Sequence, residues 1–191
     1  NGTLIGNAGD NSRLNSSLIL NYKPGKLNLF ASYSYRQDYR SRTSRDYRLL
    51  FDSSGNKQSE YENNGTSSYR PFSHVVETGF DYSLNKMNDF GISFSYEYFK
   101  FKLPVIFTVL MYDSADILQS DYDWIVNKFV YEWEKGLSAY WEHRFKKEDH
   151  TLTFEADIAD YFEYEENKNS YTYRVPLIQN FFDNTIVQQR E

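Results

Sequence analysis

The 191-residue chain contains no cysteine and only four prolines and nine glycines. The absence of cysteine excludes disulfide bonds, zinc–thiolate sites and thiol catalysis. There is no apolar run of about 18 residues, so the sequence predicts no transmembrane helix. Acidic residues outnumber basic residues by 27 to 21, and the resulting net charge of −6 argues against a dedicated nucleic-acid-binding protein.

Aromatic residues are abundant by contrast: 18 Tyr, 15 Phe and 3 Trp make up 19% of the chain. Outer-membrane β-barrels and some soluble all-β binding domains share this combination of polar composition and many aromatic residues. Composition alone does not separate these two classes, because the apolar face of a barrel occupies only every second residue.

Apolar and polar residues alternate with a period of two over most of the chain, which predicts β-strands. Lys23-Pro24-Gly25-Lys26 joins the first pair of alternating runs, because proline presets φ and glycine accepts positive φ in tight turns. Two more pairs of runs meet near residues 87 and 148. We therefore predict hairpins at about 13–39, 74–101 and 128–162, connected by long loops at about 40–72, 102–127 and 163–191. Residues 1–10 and 171–189 are candidates for one further strand each, although Pro176 weakens the second.

Three features favour a membrane sheet over a soluble one. The polar face carries charges midway along the strands, among them Arg36, Asp81 and Glu97, which suits a water-filled lumen. The alternation lasts nine or more residues, the length with which a tilted strand crosses a bilayer. Aromatic residues lie near both ends of the apolar face, as in the girdles of membrane barrels. The residues predicted to face lipid are Leu18, Leu20, Leu27, Leu29, Tyr33, Phe80, Tyr82, Ile92, Phe94, Leu137, Trp141 and Phe154.

The predicted fold is all-β: an antiparallel meander of transmembrane hairpins that forms part of a β-barrel. Short turns lie at one end of the barrel and long loops at the other. Six strands are clear, and an open sheet in lipid would leave two unpaired edges. We therefore expect the chain to be an excerpt of a larger barrel. The alternatives are a complete eight-stranded outer-membrane barrel with a structural or adhesive role, and a soluble β-sheet domain that binds carbohydrate or protein.

Two hairpins resemble those of a known family. Residues 17–36 (SLILNYKPGKLNLFASYSYR) and 74–98 are similar to barrel hairpins of TonB-dependent outer-membrane receptors from Bacteroidota, and 128–162 fits more loosely. The resemblance implies a 22-stranded, plugged barrel in the cell outer membrane that imports a bulky nutrient with energy from the TonB system. It implies outer-membrane lipid as a partner, a plug domain and TonB outside this sequence, and a surface lipoprotein as a further candidate.

No catalytic motif is present, and the protein is not predicted to be an enzyme or to hold a cofactor or metal. His74, His143 and His150 are scattered without a second histidine at ligand spacing. Carboxylates cluster at 113–123 and 157–166, but neither cluster has the spacing of a calcium-binding EF-hand loop. We interpret both clusters as solvated acidic surface.

Two segments of the predicted loops are candidates for binding. The first contains arginines interleaved with tyrosines. At the outer rim of a barrel these arginines would contact lipopolysaccharide phosphates or line a ligand vestibule, since the guanidinium matches phosphate geometry; the alternative is a solvated rim. The second, 103–112, is apolar throughout, which favours a contact with a partner or a neighbouring loop. The candidate residues are Arg40, Arg42, Arg45, Arg48, Val105, Phe107, Met111 and Tyr112.

Overall fold

The computed structural model of the protein describes residues 1–146, 150–176 and 184–190, which form nine antiparallel strands in one sheet. The strands are β1 (Gly2–Ala8), β2 (Leu14–Tyr22), β3 (Leu27–Gln37), β4 (Arg40–Phe51), β5 (Lys57–Asn85), β6 (Asn88–Asp113), β7 (Leu118–Arg144), β8 (Thr151–Val175) and β9 (Asn184–Arg190). The predicted all-β antiparallel meander is confirmed. Within the described ranges there is no helix long and apolar enough to cross a membrane.

Neighbouring strands in the chain are also neighbours in the sheet, apart from one exception at β3 and β4. The hydrogen-bonded order is β1-β2-β3-β5-β6-β7-β8-β9, and β4 pairs with β5 beside β3. In the part of the chain that the structure describes, β1 pairs only with β2 and β9 only with β8. Closure into a barrel therefore remains a prediction.

β3 and β4 act as one long strand that is interrupted across from Pro71. β3 pairs with β5 up to Gln37 and Phe72, and β4 resumes in the same register with Arg40 and Tyr69. Asp38 donates its backbone N–H to the Pro71 carbonyl at 3.0 Å. Residues in such a pair normally exchange two hydrogen bonds. Because proline has no N–H, Pro71 cannot donate the second one, and the ladder is interrupted there.

The three short turns lie at one end of the sheet, as predicted. Gly25 in the first turn adopts φ of 66°, a conformation that glycine accepts without strain. In the second turn, the Asn85 side-chain oxygen accepts hydrogen bonds from the Met87 backbone N–H at 2.8 Å and the Asn88 amide at 3.0 Å. The third turn, between β7 and β8, includes residues 147–149, which lie outside the described residues.

The long connections lie at the other end, but the prediction that they are loops is wrong for most of their length. Residues 40–51 form β4, residues 57–72 continue β5, and 102–127 complete β6 and begin β7. Residues 163–175 extend β8, and 184–190 form β9, so 171–189 is not a single strand. Asp52 and Asp113 close two of these hairpins in the same way, because each carboxylate accepts backbone N–H groups two and four residues later.

Candidate functional site

The two faces of the sheet differ in how closely their side chains pack. All buried residues in the described part of the chain lie on one face, which we call the inner face; the opposite face is the outer face. The buried residues are Asp38, Gly65, Pro71, Gly91, Val109 and Val130. Crowding of this kind is expected on the concave side of a curled sheet, where neighbouring side chains converge.

The register places every residue that was predicted to face lipid on the outer face. Each of these residues pairs across strands with another outer residue. Their exposure is high for apolar side chains: 65% for Phe154 and 46% for Leu137. A large exposed apolar surface on a folded sheet indicates a contact with lipid or protein. Contact with lipid itself stays a prediction.

Two rows of aromatic side chains bound this apolar surface. The upper aromatic row contains five residues that are cross-strand partners on β3, β5, β6, β7 and β8: Tyr35, His74, Tyr98, Trp133 and Phe162. The lower aromatic row, next to the short turns, contains Tyr82, Phe90, Trp141 and Phe154, and Leu27 of β3 lies at the same level. Eight residues separate the rows on each strand, which is about 26 Å of extended chain. Since strands in barrels tilt by about 40°, the rows would lie roughly 20 Å apart along the membrane normal, comparable with the apolar band of a transmembrane barrel, which is about 25 Å tall.

Between the aromatic rows the outer face carries one pair of opposite charges, Lys135 and Asp160, which are cross-strand partners. Both lie one row below the upper aromatic row, and the Lys135 ammonium is 3.9 Å from the centre of the Trp133 ring. The lysine side chain therefore points its charge toward the edge of the apolar surface, as snorkelling lysines do.

On the inner face between the same two rows, most side chains are polar or small. Asp81 accepts hydrogen bonds from the Asn28 amide at 2.9 Å and from the Tyr140 hydroxyl at 3.0 Å. Tyr140 reaches Asp81 across Gly91, where a Cβ atom would lie 2.7 Å from the Asp81 carboxylate. Phe30, the one large apolar residue that breaks the alternation of β3, covers Gly79 on the neighbouring strand. These contacts suit a hydrated interior lined by a connected polar network.

Beyond the upper aromatic row, the apolar side chains on β6 change faces. On β6, the outer residues 90–98 are aromatic or aliphatic, and the inner residues 91–97 are Gly, Ser, Ser and Glu. From Phe99 onward the inner positions are the apolar ones, through Val105 and Val109, and Lys100 and Lys102 now point outward. A sheet that packs one face against a single core would keep its apolar side throughout. The exchange therefore indicates that the two halves of β6 meet different surroundings.

The inner face beyond the upper aromatic row carries a stack of three rings. Phe107, Trp124 and Tyr171 are cross-strand partners on β6, β7 and β8. The centres of Phe107 and Trp124 are 5.0 Å apart, and Trp124 and Tyr171 are nearly parallel at 6° and 6.1 Å. The Trp124 N–H donates to the Asn169 side-chain oxygen at 3.1 Å, which fixes the indole in place. Burial raises the pKa of Tyr122, beside this stack.

Six of the eight predicted ligand or partner residues come together around this stack on the inner face. Arg40, Arg42 and Arg48 project from β4, and Val105, Phe107 and Met111 from β6, with β5 between them. The other two, Arg45 and Tyr112, lie on the outer face. The structure thus separates these two residues from the rest of the predicted set.

Asp38 anchors the arginines at the point where β3 meets β4. Its carboxylate lies 2.9 Å from the Arg13 guanidinium and 2.6 Å from that of Arg40. The hydrogen bond from Arg40 holds the pKa of the Asp38 carboxyl below its usual range. For Arg36 and Arg42, on the same inner face, the described chain offers no carboxylate within ion-pair distance. These two guanidinium groups are available to an anion.

Several carboxylates of the two acidic clusters are ion-paired and partly covered, which differs from the predicted solvated surface. Asp121 and Asp123 both pair with Arg174, at 2.7 Å for Asp123, and this arginine lowers the pKa of Asp123. Asp113 binds backbone N–H groups in its turn. No group of three or more possible metal ligands occurs in the described ranges.

Sequence interpretation missed three cations on the outer face just beyond the upper aromatic row: Arg70, Lys100 and Lys102. They fell at the edges of the predicted loops, where no face could be assigned. The available signal was the alternation itself, which places Lys100 and Lys102 in phase with Tyr98.

No protein-family model and no curated protein has a sequence that matches this chain.

Proposed function

We propose that these strands form part of the wall of an outer-membrane β-barrel of the TonB-dependent receptor type, which imports a bulky nutrient. The observation that carries the proposal is the exchange of the apolar side at the upper aromatic row. Below this row the outer face is apolar between two aromatic rows about 26 Å apart along the strand, and the inner face is polar. This is the side-chain distribution of a strand that crosses a bilayer around an aqueous lumen.

The length of the strands supports the same arrangement. β5 contains 29 residues and β7 contains 27, which corresponds to roughly 90 Å of extended chain. A tilted strand needs only about 9–11 residues to cross the hydrocarbon core. The halves beyond the upper aromatic row would therefore project into water on the side of the long connections, which in outer-membrane barrels is the cell exterior.

In this arrangement the inner face of the projecting half is the first surface that an entering ligand meets. It combines the Phe107–Trp124–Tyr171 stack with the guanidinium groups of Arg40, Arg42 and Arg48. Flat apolar rings with a few convergent polar groups are typical of ligand sites, and arginine favours carboxylate and phosphate. A bulky ligand that carries rings and negative charge fits this surface.

The first experiment tests the membrane assignment. The protein is purified in detergent, exchanged into plain buffer or into phosphatidylcholine vesicles, and analysed by size exclusion and by heat-dependent gel migration. We expect a folded, monodisperse protein only with detergent or lipid, because the outer apolar face needs a cover. A well-behaved monomer in plain buffer would contradict the proposal and would favour a soluble β-sheet binding domain.

The second experiment tests the inner surface. Dextran sulfate and neutral dextran of the same length are titrated against the detergent-solubilised protein, with binding followed by isothermal titration calorimetry. We expect binding of dextran sulfate, weakened at least tenfold by the double substitution Arg42→Gln and Trp124→Ala. Equal substitutions on the outer face, Arg45→Gln and Trp141→Ala, serve as the matched control. Equal losses in both variants would contradict a site on the inner face.

A further inference from the structure

The outer face carries three cations, Arg70, Lys100 and Lys102, immediately beyond the upper aromatic row. Lys100 lies two residues past Tyr98 on β6, and Lys102 lies four residues past it; Arg70 lies four residues past His74 on β5. These spacings correspond to about 7 and 13 Å along the strand. Since strands in barrels tilt by about 40°, the cations lie roughly 5–10 Å above the aromatic row.

The arrangement of the cations is costly without a bound anion. Arg70 and Lys102 are direct cross-strand partners, and like charges in that position destabilise a sheet. No carboxylate of the described residues lies within ion-pair distance of any of the three. The nearby Glu166 is already paired with Lys168, at 3.1 Å. The chain has a net charge of −6, so this concentration of unpaired positive charge is unusual within it.

Aromatic rings contact two of these cations, Arg70 and Lys100. The Arg70 guanidinium lies 4.8 Å from the centre of the Tyr39 ring. The Lys100 ammonium lies 5.9 Å from the Phe72 ring and 5.2 Å from the Phe129 ring. Cation–π contacts of this kind orient a cation and leave its hydrogen-bond donors available to an anion.

A shallow groove of about 640 Å³ lies between these side chains. Pro104 forms part of its floor, where the ladder between β5 and β6 is interrupted between the pairs Ser67 with Val105 and Arg70 with Lys102. The rest of the groove is lined by Ser68, Asn127, Lys128, Phe129 and the ion pair of Glu166 with Lys168. The groove opens on the same face as the apolar surface below it.

We propose that Arg70, Lys100 and Lys102 bind the phosphate groups of an anionic glycolipid in the outer leaflet, of the lipopolysaccharide type. This inference rests on the proposed membrane function, which sets the cations at the depth of lipid headgroups. The headgroup region extends about 5–8 Å beyond the hydrocarbon core on each side, and the three cations lie within or just above it. The predicted contact of arginines with lipopolysaccharide therefore moves from Arg40, Arg42 and Arg48, which face inward, to this outer cluster.

The test uses the purified protein in a neutral detergent and titrates lipid A, with bound lipid counted by native mass spectrometry. Each cation near an anionic surface contributes about a fivefold gain in affinity, so the triple variant R70Q/K100Q/K102Q should bind roughly 100-fold more weakly. The matched control is K23Q/K86Q/K146Q, which removes the same charge at the short turns and should bind within threefold of the native protein. Inorganic phosphate at the same phosphate concentration should not displace lipid A.

Three results would overturn the proposal: unchanged binding by the outer triple variant, equal weakening by the control variant, or displacement by inorganic phosphate. Insertion into phosphatidylcholine vesicles separates this proposal from the membrane assignment. If both variants insert into the vesicles and the outer triple variant binds lipid A as tightly as the native protein does, the proposed lipid site is wrong and the membrane assignment stands. If the native protein does not insert, the membrane assignment fails and the lipid site fails with it.

Discussion

On β6, the outer side chains from Phe90 to Tyr98 are all aromatic or aliphatic, whereas those that follow begin with Lys100 and Lys102. The inner side chains change in the opposite sense, from glycine and serine to phenylalanine, leucine and valine. The short-turn half (rows up to the upper aromatic row) and the long-connection half (rows beyond it) thus share a backbone ladder without a break in register. The comparison shows that the backbone hydrogen bonds continue through both halves of the sheet. The side-chain pattern, in contrast, differs between the halves and reflects the surroundings of each half.

The largest difference between the halves is expected for a charge placed on the outer face. Phe94 lies in the middle row between the two aromatic rows, and Phe94→Arg should lower the free energy of unfolding by about 2–4 kcal/mol, because arginine at the bilayer midplane loses hydration. Ile106→Arg is the control on the same strand and the same face, at a side chain that is 46% exposed. Its effect should stay within about 0.5 kcal/mol.

Urea unfolding in phosphatidylcholine vesicles measures both variants. Similar losses at Phe94 and Ile106 would mean that the two outer surfaces have the same environment. The distinction between the halves would then be wrong.

A smaller effect is expected inside the short-turn half. Gly91→Val adds a Cβ against the Tyr140 ring and the Asp81 carboxylate, so it should break their hydrogen bond and cost about 1–3 kcal/mol. Gly6→Val on β1 is the control, since no atom lies within 4 Å of an added Cβ there. Unfolding in the same vesicles distinguishes them, and an equal cost at Gly6 would contradict a local clash at Gly91, since valine otherwise favours a strand over glycine.

The smallest expected effect is a loss of stability of the long-connection half at acidic pH. Partner cations lower the pKa of Asp123 and Glu165, through Arg174 and Lys128 respectively. A carboxyl with a lowered folded-state pKa stabilises the fold above its unfolded pKa, and this contribution is lost as the pH falls below about 4. Hydrogen-exchange protection in 121–128 and 163–175 should therefore fall severalfold between pH 7 and pH 3. Arg174→Gln at pH 7 should reproduce the loss around Asp123, and full protection in that variant would contradict the account.

Alternation was enough to predict the strands of the short-turn half and the face of every predicted lipid-facing residue. Each of these strands keeps one phase from end to end, as in Leu27, Leu29, Tyr33 and Tyr35. β4 and the long-connection parts of β5, β6, β7 and β8 were predicted as loops, and on β6 the reason is a change of phase within the strand. Tyr98, Phe99, Lys100 and Phe101 form the changeover on β6, and a local run of this kind hides the period of two.

The binding surface was harder to predict, because it depends on cross-strand register. Phe107, Trp124 and Tyr171 are far apart in sequence and meet only when β6, β7 and β8 pair. Arg45 differs from Arg42 and Arg48 only in the parity of its position, which has no meaning until 40–51 is known to be a strand. The unpaired cations at Arg70 and Lys102 likewise became visible only as cross-strand partners.

The most direct test of the central claim follows lipid contact along β6. Because the chain has no cysteine, single cysteines can be introduced at each position from 90 to 112 and spin-labelled without background. In phosphatidylcholine vesicles, we predict that labels at even positions from 90 to 98 are more accessible to oxygen than to a water-soluble nickel complex. We predict that this pattern ends at Phe99 and that outer labels beyond Lys102 favour the nickel complex. A single unbroken pattern of oxygen accessibility from 90 to 112, or none at all, would contradict a strand that passes from lipid into water.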